Sequence, residues 1–427
     1  MKNYKLFLTV SFLLLLRILN GQTLYQVGAL SLLEKNGQFY RITGDDTTRL
    51  LPDKIVLKFK EGITPESKTG FAGSNGLTFI KSTLNGVYLY KIDQVSNFIG
   101  VVQNLSSSNI LEYFDLNYLY RTLTNFLPPN NDIEWTSWLP WYDQENLMWP
   151  YRESNLFEAW NITKGSPDII VANLDNGISL THPEIGNGTD GYSNIWANHE
   201  EIPDNDIDDD NNGFIDDYYG WNFGTCDINI GDNNVSHYLP DILTHGSMTG
   251  SIIASKTNNG PTNGILGTFG VAGGWGSKGA SLMNIKVSSP PVFDPEDQEW
   301  KEYIQSAFIP FAIEYACLNG ARVINMAFGG EFSQSIEEEI NYYYDYYNVV
   351  LLAGVGNEDS QHYIYYPASS EFVIAVGATS YGSHEYRWHE KTTYQSWGSN
   401  FVQDNYGVEI MAPCSPMSIS AFGLNSF

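Results

Sequence analysis

The sequence predicts an α/β protein, with a parallel sheet covered by helices on both faces and preceded by a small α+β domain. Beyond residue 150, buried-type strands alternate with helices, which is the pattern of a parallel sheet with two covered faces. Before residue 125, short strands with alternating apolar positions surround one helix, which indicates a smaller α+β unit. A chain of 427 residues, 42% of them hydrophobic, is long enough for both.

The first residues have the features of an export signal. Lys2 and Lys5 precede an apolar run at 6–16, which is followed by Arg17 and a short segment that ends at Gly21. The run is too short to span a bilayer, so residues 1–21 indicate a secretory signal peptide. We therefore expect an exported protein with no membrane span.

Net charge and cysteine content argue against several classes of protein. The formal net charge of −27 argues against electrostatic binding of nucleic acid or of anionic membranes. Cys226, Cys317 and Cys414 are odd in number and far apart, so the protein is not a disulfide framework, although one bridge remains open.

The region after the signal divides into three parts. Segment 22–49, whose role the sequence does not assign, contains Asn36-Gly37 between apolar runs and predicts a two-residue hairpin. Segment 50–125 forms the small domain, with strands and one helix. The strands are expected at 54–60, at 87–92 and within 110–120, and the helix at 94–105. A Pro- and Asn-rich stretch then marks a linker over 126–150.

The large domain, 151–427, supplies the strands and helices of the parallel sheet. Its strands are predicted at 169–174, 281–287, 322–326, 349–354 and 372–379, and its helices at 308–319 and from Ser335 to about Tyr347. Ser335 and Glu338 form a capping-box pattern at the start of the second of these helices.

A further helix is predicted over 244–254. Thr244 is its expected N-cap, and Gly246, Gly250 and Ala254 recur at a spacing of four, which lets neighbouring backbone approach closely. His245 then lies in the first turn. A capped buried helix with an incidental histidine is the structural alternative to a catalytic role.

Three polar side chains are expected to lie at one edge of the sheet. Asp175 follows the first strand of the large domain, and Asn357 follows the strand at 349–354, so both lie at carboxyl ends, where open parallel sheets form their sites. An aspartate can orient His245, the histidine can activate a hydroxyl, and the asparagine amide can donate to an oxyanion. Taken singly, Asp175 is also suited to a turn and Asn357 to a loop.

Several motifs, in order, resemble those of the subtilisin-like serine proteases over about residues 50–415. The segments that carry the resemblance are 171–177 with His182-Pro183, 245–254, 325–330, 354–357, 366–369 and 373–379. The resemblance implies a secreted serine endopeptidase that acts on protein or peptide substrates, with Asp175 and His245 catalytic and Asn357 in the oxyanion hole. It also implies a substrate cleft lined by Ala327, Phe328, Gly329 and Gly354, and an inhibitory propeptide formed by the small domain.

The chain also departs from the family pattern. Asn176 replaces a usual Thr or Ser, Asn173 places an amide in a strand expected to be apolar, and Thr249-Gly250-Ser251 replaces V-A-G. Ala327 lacks a cleft hydroxyl, and Cys414 replaces a glycine.

The nucleophile is the largest departure. The sequence reaches Phe427 without a G-T-S-M-A motif, and Ser426 has no residues behind it to form the helix that such a serine begins. We therefore expect a chain that stops before the catalytic serine and is inactive as given. The alternatives are a non-catalytic secreted binding module and a fragment or frameshifted product of an ordinary protease.

An acidic loop predicts a calcium site. Asp208, Asp210, Asn212 and Asp216 place oxygen ligands at alternate positions around a glycine turn. Tyr219 stands where an EF-hand needs a bidentate carboxylate, so the loop is not a complete EF-hand. A solvated acidic loop is the alternative, and the mutual repulsion of so many carboxylates favours calcium.

Overall fold

The computed structural model describes residues 22–44, 46–122, 149–186, 192–225, 231–238, 244–257, 270–294, 299–380, 383–387, 389–391, 396–402 and 407–413. The predicted signal peptide, most of the predicted linker, Cys226, Cys414 and Ser426 lie outside the described residues.

The N-terminal region forms an antiparallel sheet with two helices. Its elements are β1 (Gln22–Val27), β2 (Leu30–Lys35), β3 (Gln38–Thr43), β4 (Asp46–Phe59), α1 (Pro65–Ser74), β5 (Leu77–Ser82), β6 (Val87–Ile92), α2 (Phe98–Ser106) and β7 (Leu111–Thr122). The strand order is β1-β2-β3-β4-β6-β5, and β7 pairs with β4. The predicted hairpin is confirmed: Asn36 and Gly37 join β2 to β3 with φ of 53° and 75°, the positive values that two-residue hairpin turns favour.

Strand β4 joins the two predicted N-terminal segments. Its first half pairs with β3, and its second half pairs with β6 and β7. The sheet is thus continuous through residue 50, and the division into 22–49, of unassigned role, and 50–125 stays a prediction.

The C-terminal region is built on a mainly parallel sheet. Its strands are β8 (Ile170–Asp175), β9 (Gly220–Asn222), β10 (Ser281–Lys286), β11 (Val292–Asp294), β12 (Glu299–Lys301), β13 (Ile304–Gln305), β14 (Ala321–Met326), β15 (Phe328–Gly329), β16 (Val350–Gly354), β17 (Val373–Ser380), β18 (Ser383–Arg387), β19 (His389–Lys391), β20 (Ser396–Gly398) and β21 (Ile410–Pro413). The main sheet has the order β18-β17-β16-β14-β8-β10-β9, with β21 on β17, and only the β17–β18 pair is antiparallel among its described pairings. The α/β prediction is confirmed.

The helices of this region are α3 (Trp149–Glu153), α4 (Leu156–Ala159), α5 (His245–Ala254), α6 (Ile309–Leu318) and α7 (Gln334–Tyr347). Helices α5, α6 and α7 contact the sheet, and α6 is buried almost along its whole length. No helix in the described ranges is both long and apolar enough to cross a membrane.

The capping prediction for α7 was wrong by two residues. Ser333, in extended conformation, is the N-cap, and its side chain accepts a hydrogen bond from the N–H of Ile336. Ser335 lies inside the first turn, where its N–H donates to Asp115 over 2.7 Å. A carboxylate of β7 therefore binds an N–H group that the helix leaves without an internal partner.

Strand β7 connects the two regions. Its end pairs antiparallel with β13 and with β15, so one strand of the N-terminal sheet continues into the C-terminal region. This places β7 across the carboxyl end of β14, next to the candidate site.

Candidate active site

Asp175 and His245 form a buried pair at the carboxyl edge of the sheet. Asp175 is the last residue of β8 and His245 the first of α5, with 1% and 7% of their surfaces exposed. Nδ1 of His245 lies 2.7 Å from Oδ1 and 2.8 Å from Oδ2 of Asp175. Because an ionised carboxylate only accepts hydrogen bonds, Nδ1 is the donor in this pair, and Nε2 is the ring atom that can serve as a base.

Small residues allow α5 to approach the sheet closely enough to form this pair. A Cβ at Gly246 would overlap the carbonyl oxygen of Gly177, and one at Gly250 would lie 2.9 Å from Leu282 of β10. The sequence-based expectation of close packing at these positions is therefore confirmed.

The start of α5 is capped in an unexpected way. Thr244 stands at the N-cap position, but its side chain makes no capping hydrogen bond because its backbone, with φ −123° and ψ 21°, is not extended. Asn176 takes over part of this role, since its Oδ1 accepts from the N–H of Gly246 at 2.9 Å. The loop after Asp175 thus holds the helix that carries His245.

A second histidine supports the first turn of α5 from the other side. His237 Nε2 lies 2.7 Å from Oγ of Ser247, and burial lowers the pKa of His237 to about 4. The ring is therefore neutral near pH 7, and its hydrogen bond to Ser247 holds the first turn of α5 in place. Nothing in the local sequence pattern predicted this contact.

The buried Lys286 and the half-buried Glu302 lie close enough behind the site to influence each other's pKa. Burial lowers the pKa of Lys286 to about 8 and raises that of Glu302 to about 7, and each group shifts the pKa of the other in the opposing direction. The Lys286 Nζ donates to the carbonyl oxygen of Ser236 at 2.5 Å and lies 3.0 Å from the centre of the Tyr238 ring.

Asn357 lies on the loop that follows β16. In the sheet order, β14 separates this strand from β8, so Asn357 and Asp175 follow strands that end at the same edge. The backbone of Asn357 is held on both sides: its N–H donates to Glu358 at 2.9 Å, and its carbonyl oxygen accepts from Gly398 at 3.1 Å. The backbone that carries the Asn357 side chain is therefore fixed at this edge, where an oxyanion donor is expected.

Two of the four residues expected to line a substrate cleft pair with β7. Phe328 and Gly329 form β15 and pair with Thr122 and Arg121, while Ala327 precedes β15 and Gly354 ends β16. The backbone edge of Phe328–Gly329, which the family resemblance predicts to bind substrate, is therefore paired with the last strand of the N-terminal sheet.

The acidic loop brings together a different set of carboxylates from the predicted one. Ligand oxygens of Glu201, Asp208 and Asp210 all lie within 4.8 Å of one another. That spacing suits oxygens that share one calcium ion, whose ligands stand 2.3–2.6 Å away. Glu201 was missed because it precedes the loop motif in sequence.

The other two predicted ligands have different roles. Both carboxylate oxygens of Asp216 accept backbone N–H groups, from Asn205 at 3.0 Å and Asp206 at 2.9 Å. Asn212 Oδ1 accepts from the N–H of Phe214 at 2.8 Å. Asp216 lies outside the cluster, although its oxygens, like those of Glu201, accept backbone N–H groups of the loop. Asn212 as a calcium ligand stays a prediction.

Comparison with known proteins places this geometry in context. A model of the subtilase family matches residues 166–424. Curated relatives include a thermophilic serine proteinase from Bacillus sp. (strain AK1), 26% identical over 327 residues that cover 76% of this chain and 63% of that protein. Fervidolysin from Fervidobacterium pennivorans is 27% identical over 232 residues, 54% of this chain and 26% of that protein.

The chain spans less than two thirds of the length of these curated relatives. Among solved structures, that of fervidolysin has a TM-score of 0.52 at 19% identity, and the match covers 89% of this chain and 48% of that one. This likeness supports the fold.

Proposed function

This chain belongs to the subtilase family, and on that basis we propose that it is a serine endopeptidase, which cleaves peptide bonds through an acyl-enzyme. The 2.7 Å contact between His245 Nδ1 and Asp175 carries the proposal. His245 would act as general base and then as general acid, Asp175 would hold the ring and stabilise its cation, and the Asn357 amide would donate to the oxyanion.

The nucleophilic hydroxyl has to approach His245 from the Nε2 side. Among the residues that the structure describes, the hydrogen bonds of the His245 ring go to Asp175 through Nδ1. Ser426 lies outside the described residues. The protein to assay is therefore the one encoded by the complete reading frame, with any codons that follow residue 427.

Two measurements on that protein test the proposal. We expect it to hydrolyse an unfolded protein substrate and to react stoichiometrically with a fluorophosphonate probe. His245→Ala and Asp175→Ala should each lower kcat by about 10⁴-fold or more, because members of such a triad act as a unit. A folded protein that shows neither hydrolysis nor labelling would reject the proposal and favour a non-catalytic binding module.

The N-terminal sheet is proposed to act as an inhibitory propeptide. Support comes from β7, whose residues 121–122 pair with Phe328–Gly329, the edge that would bind substrate backbone. A strand paired there excludes a peptide from the same edge. The domain boundaries at residues 50 and 125 belong to this proposal.

Calcium binding is proposed for the acidic loop, with Glu201, Asp208 and Asp210 as the protein ligands. Three carboxylates held this close repel one another unless a cation lies between them. The ion would stabilise the loop and take no part in hydrolysis.

Export through residues 1–21 is proposed from the sequence alone. N-terminal sequencing of the exported His245→Ala variant, which could not cleave its own propeptide, should then begin at Gln22, whereas an N-terminus at Met1 would contradict removal of a signal peptide.

A further inference from the structure

A chain of part-buried polar contacts leads to the carboxylate of Asp175 from the neighbouring strand. Asn325 Nδ2 of β14 donates to Asn173 Oδ1 of β8 at 2.8 Å, and Asn173 Nδ2 donates to Thr249 Oγ1 of α5 at 3.1 Å. Thr249 Oγ1 in turn lies 3.0 Å from Asp175 Oδ2. The sequence departures at 173 and 249 thus contact each other and the carboxylate.

The direction of these bonds follows from which groups can donate. The carbonyl oxygen of Gly246 can only accept, so the Asn173 atom 3.2 Å from it is the amide nitrogen. Asn173 Oδ1 then faces Asn325, whose Nδ2 donates to it. The NH₂ group of Asn173 occupies a lone pair of the Thr249 hydroxyl. The hydroxyl hydrogen then remains for an acceptor on the far side.

Asp175 is the best acceptor within reach of that hydrogen. Oδ2 of Asp175 lies 3.0 Å from Thr249 Oγ1, whereas the carbonyl oxygens of His245 and Gly246 lie at 3.2 Å and Asn173 Oδ1 at 3.4 Å. A bond to an ionised acceptor is roughly twice as strong as one to a neutral carbonyl. Charge and distance therefore both favour Asp175.

We propose that Thr249, held in this orientation by Asn173, is a positioning residue for the Asp175–His245 pair. Oδ1 of Asp175 already accepts the N–H of Asn176 at 2.8 Å, and Thr249 binds Oδ2, so both oxygens are fixed. The carboxylate cannot rotate without breaking one of these bonds. The negative charge of Asp175 is shared among the Asn176 N–H, the Thr249 hydroxyl and His245 Nδ1. The first two donors therefore limit how strongly Asp175 attracts the Nδ1 proton of His245.

Only the expected effect on catalysis rests on the proposed function. The hydrogen bond from Thr249 to Asp175 can be tested without it, because the Nδ1 proton of His245 responds directly to the charge on Asp175. The experiment is proton NMR of the full chain labelled with ¹⁵N-histidine, with the resonance assigned by its absence in His245→Ala. In Thr249→Val, which keeps the shape and removes the hydroxyl, we expect the Nδ1 proton to move downfield because Asp175 has lost a competing donor. Thr249→Ser should return it to the wild-type position.

Ser251→Ala is the matched control. Its hydroxyl lies on the same helix and donates to the carbonyl oxygen of Met248 at 2.7 Å, not to Asp175. The inference is overturned if Thr249→Val folds, as judged by its amide spectrum, and leaves the Nδ1 proton unmoved, or if Ser251→Ala moves it equally.

The outcomes separate this inference from the proposed function. A protein without hydrolytic activity whose Nδ1 proton responds to Thr249→Val supports the positioning role and rejects the peptidase. An active protein whose Nδ1 proton ignores Thr249→Val rejects the positioning role alone. In an active protein, Thr249→Val should lower kcat with little change in KM, and Thr249→Ser should recover it.

Discussion

The Tyr120 ring of the N-terminal sheet lies directly against the backbone of Gly330, where a Cβ on the glycine would overlap the ring. Tyr120 has none of its surface exposed, and its hydroxyl donates to the carbonyl oxygen of Glu331. Phe328 packs nearby, with a ring-centre distance of 6.2 Å. A side chain of β7 thus fills a space in the C-terminal region that only a glycine leaves open.

Gly330→Ala should therefore weaken the docking of β7. Overpacking of this kind costs about 1–3 kcal/mol, and we expect faster hydrogen exchange at the amides of Arg121 and Thr122. In a double-mutant cycle, the penalty of Gly330→Ala should vanish when Tyr120 is also alanine. An equal penalty in both backgrounds would show that the ring is not the cause.

Glu339 makes the interface between the two regions sensitive to pH. Its Oε1 accepts from the hydroxyl of Thr83 at 2.6 Å, and burial raises its pKa from 4.5 to about 8. Glu314 and Glu338 raise this pKa further, whereas Thr83 and Lys58 lower it.

Because the folded state holds the proton more tightly than the unfolded state, Glu339 contributes stability that is complete below about pH 4.5 and is lost as the pH rises through about 8. Stability should fall over this window by up to about 1.4 kcal/mol per pH unit for this one proton. Denaturant unfolding at several pH values measures the slope. Glu339→Gln keeps the acceptor oxygen and should reduce the slope, and an unchanged slope would exclude Glu339 as its source.

Calcium should raise the melting temperature through the acidic loop. A ligand that binds only the folded state stabilises it by about 2.7 kcal/mol at one hundred times its Kd. Glu201→Gln should abolish the difference between melting curves recorded with calcium and with chelator. Asp216→Asn is the matched control and should keep that difference, because Asp216, like Glu201, accepts backbone N–H groups of the loop but lies outside the cluster. Identical curves for the wild-type protein would refute the site.

Asn357→Ala should reduce kcat of the active protein with little effect on KM. Loss of one oxyanion donor costs about 10²–10³-fold in kcat. Steady-state kinetics on a peptide substrate separate the two constants. A change confined to KM would instead assign Asn357 to ground-state binding of substrate.

The sequence predicted that Asp175 and His245 lie together because the evidence for this is local. Asp175 ends a buried apolar strand, and His245 begins a helix marked by small residues, so parallel-sheet geometry brings them to one edge. Glu201 and Ser333 were missed for the opposite reason. Each takes its role from a loop conformation or a distant partner, and the nearby motif directed attention to Asp216 and Ser335.

The course of β7 sets the order in which the protein can be assembled. Its pairing with β4 needs only the first 122 residues, whereas its contacts with α7 need the chain up to Tyr347. At 5–20 residues per second, a ribosome takes roughly 10 to 45 s to make the intervening segment. During that interval a finished N-terminal sheet would present Tyr120 and the unpaired edge of β7 to other nascent chains. The rate of translation between residues 122 and 347 therefore affects whether the sheet pairs with the C-terminal region of its own chain or with that of a neighbouring chain.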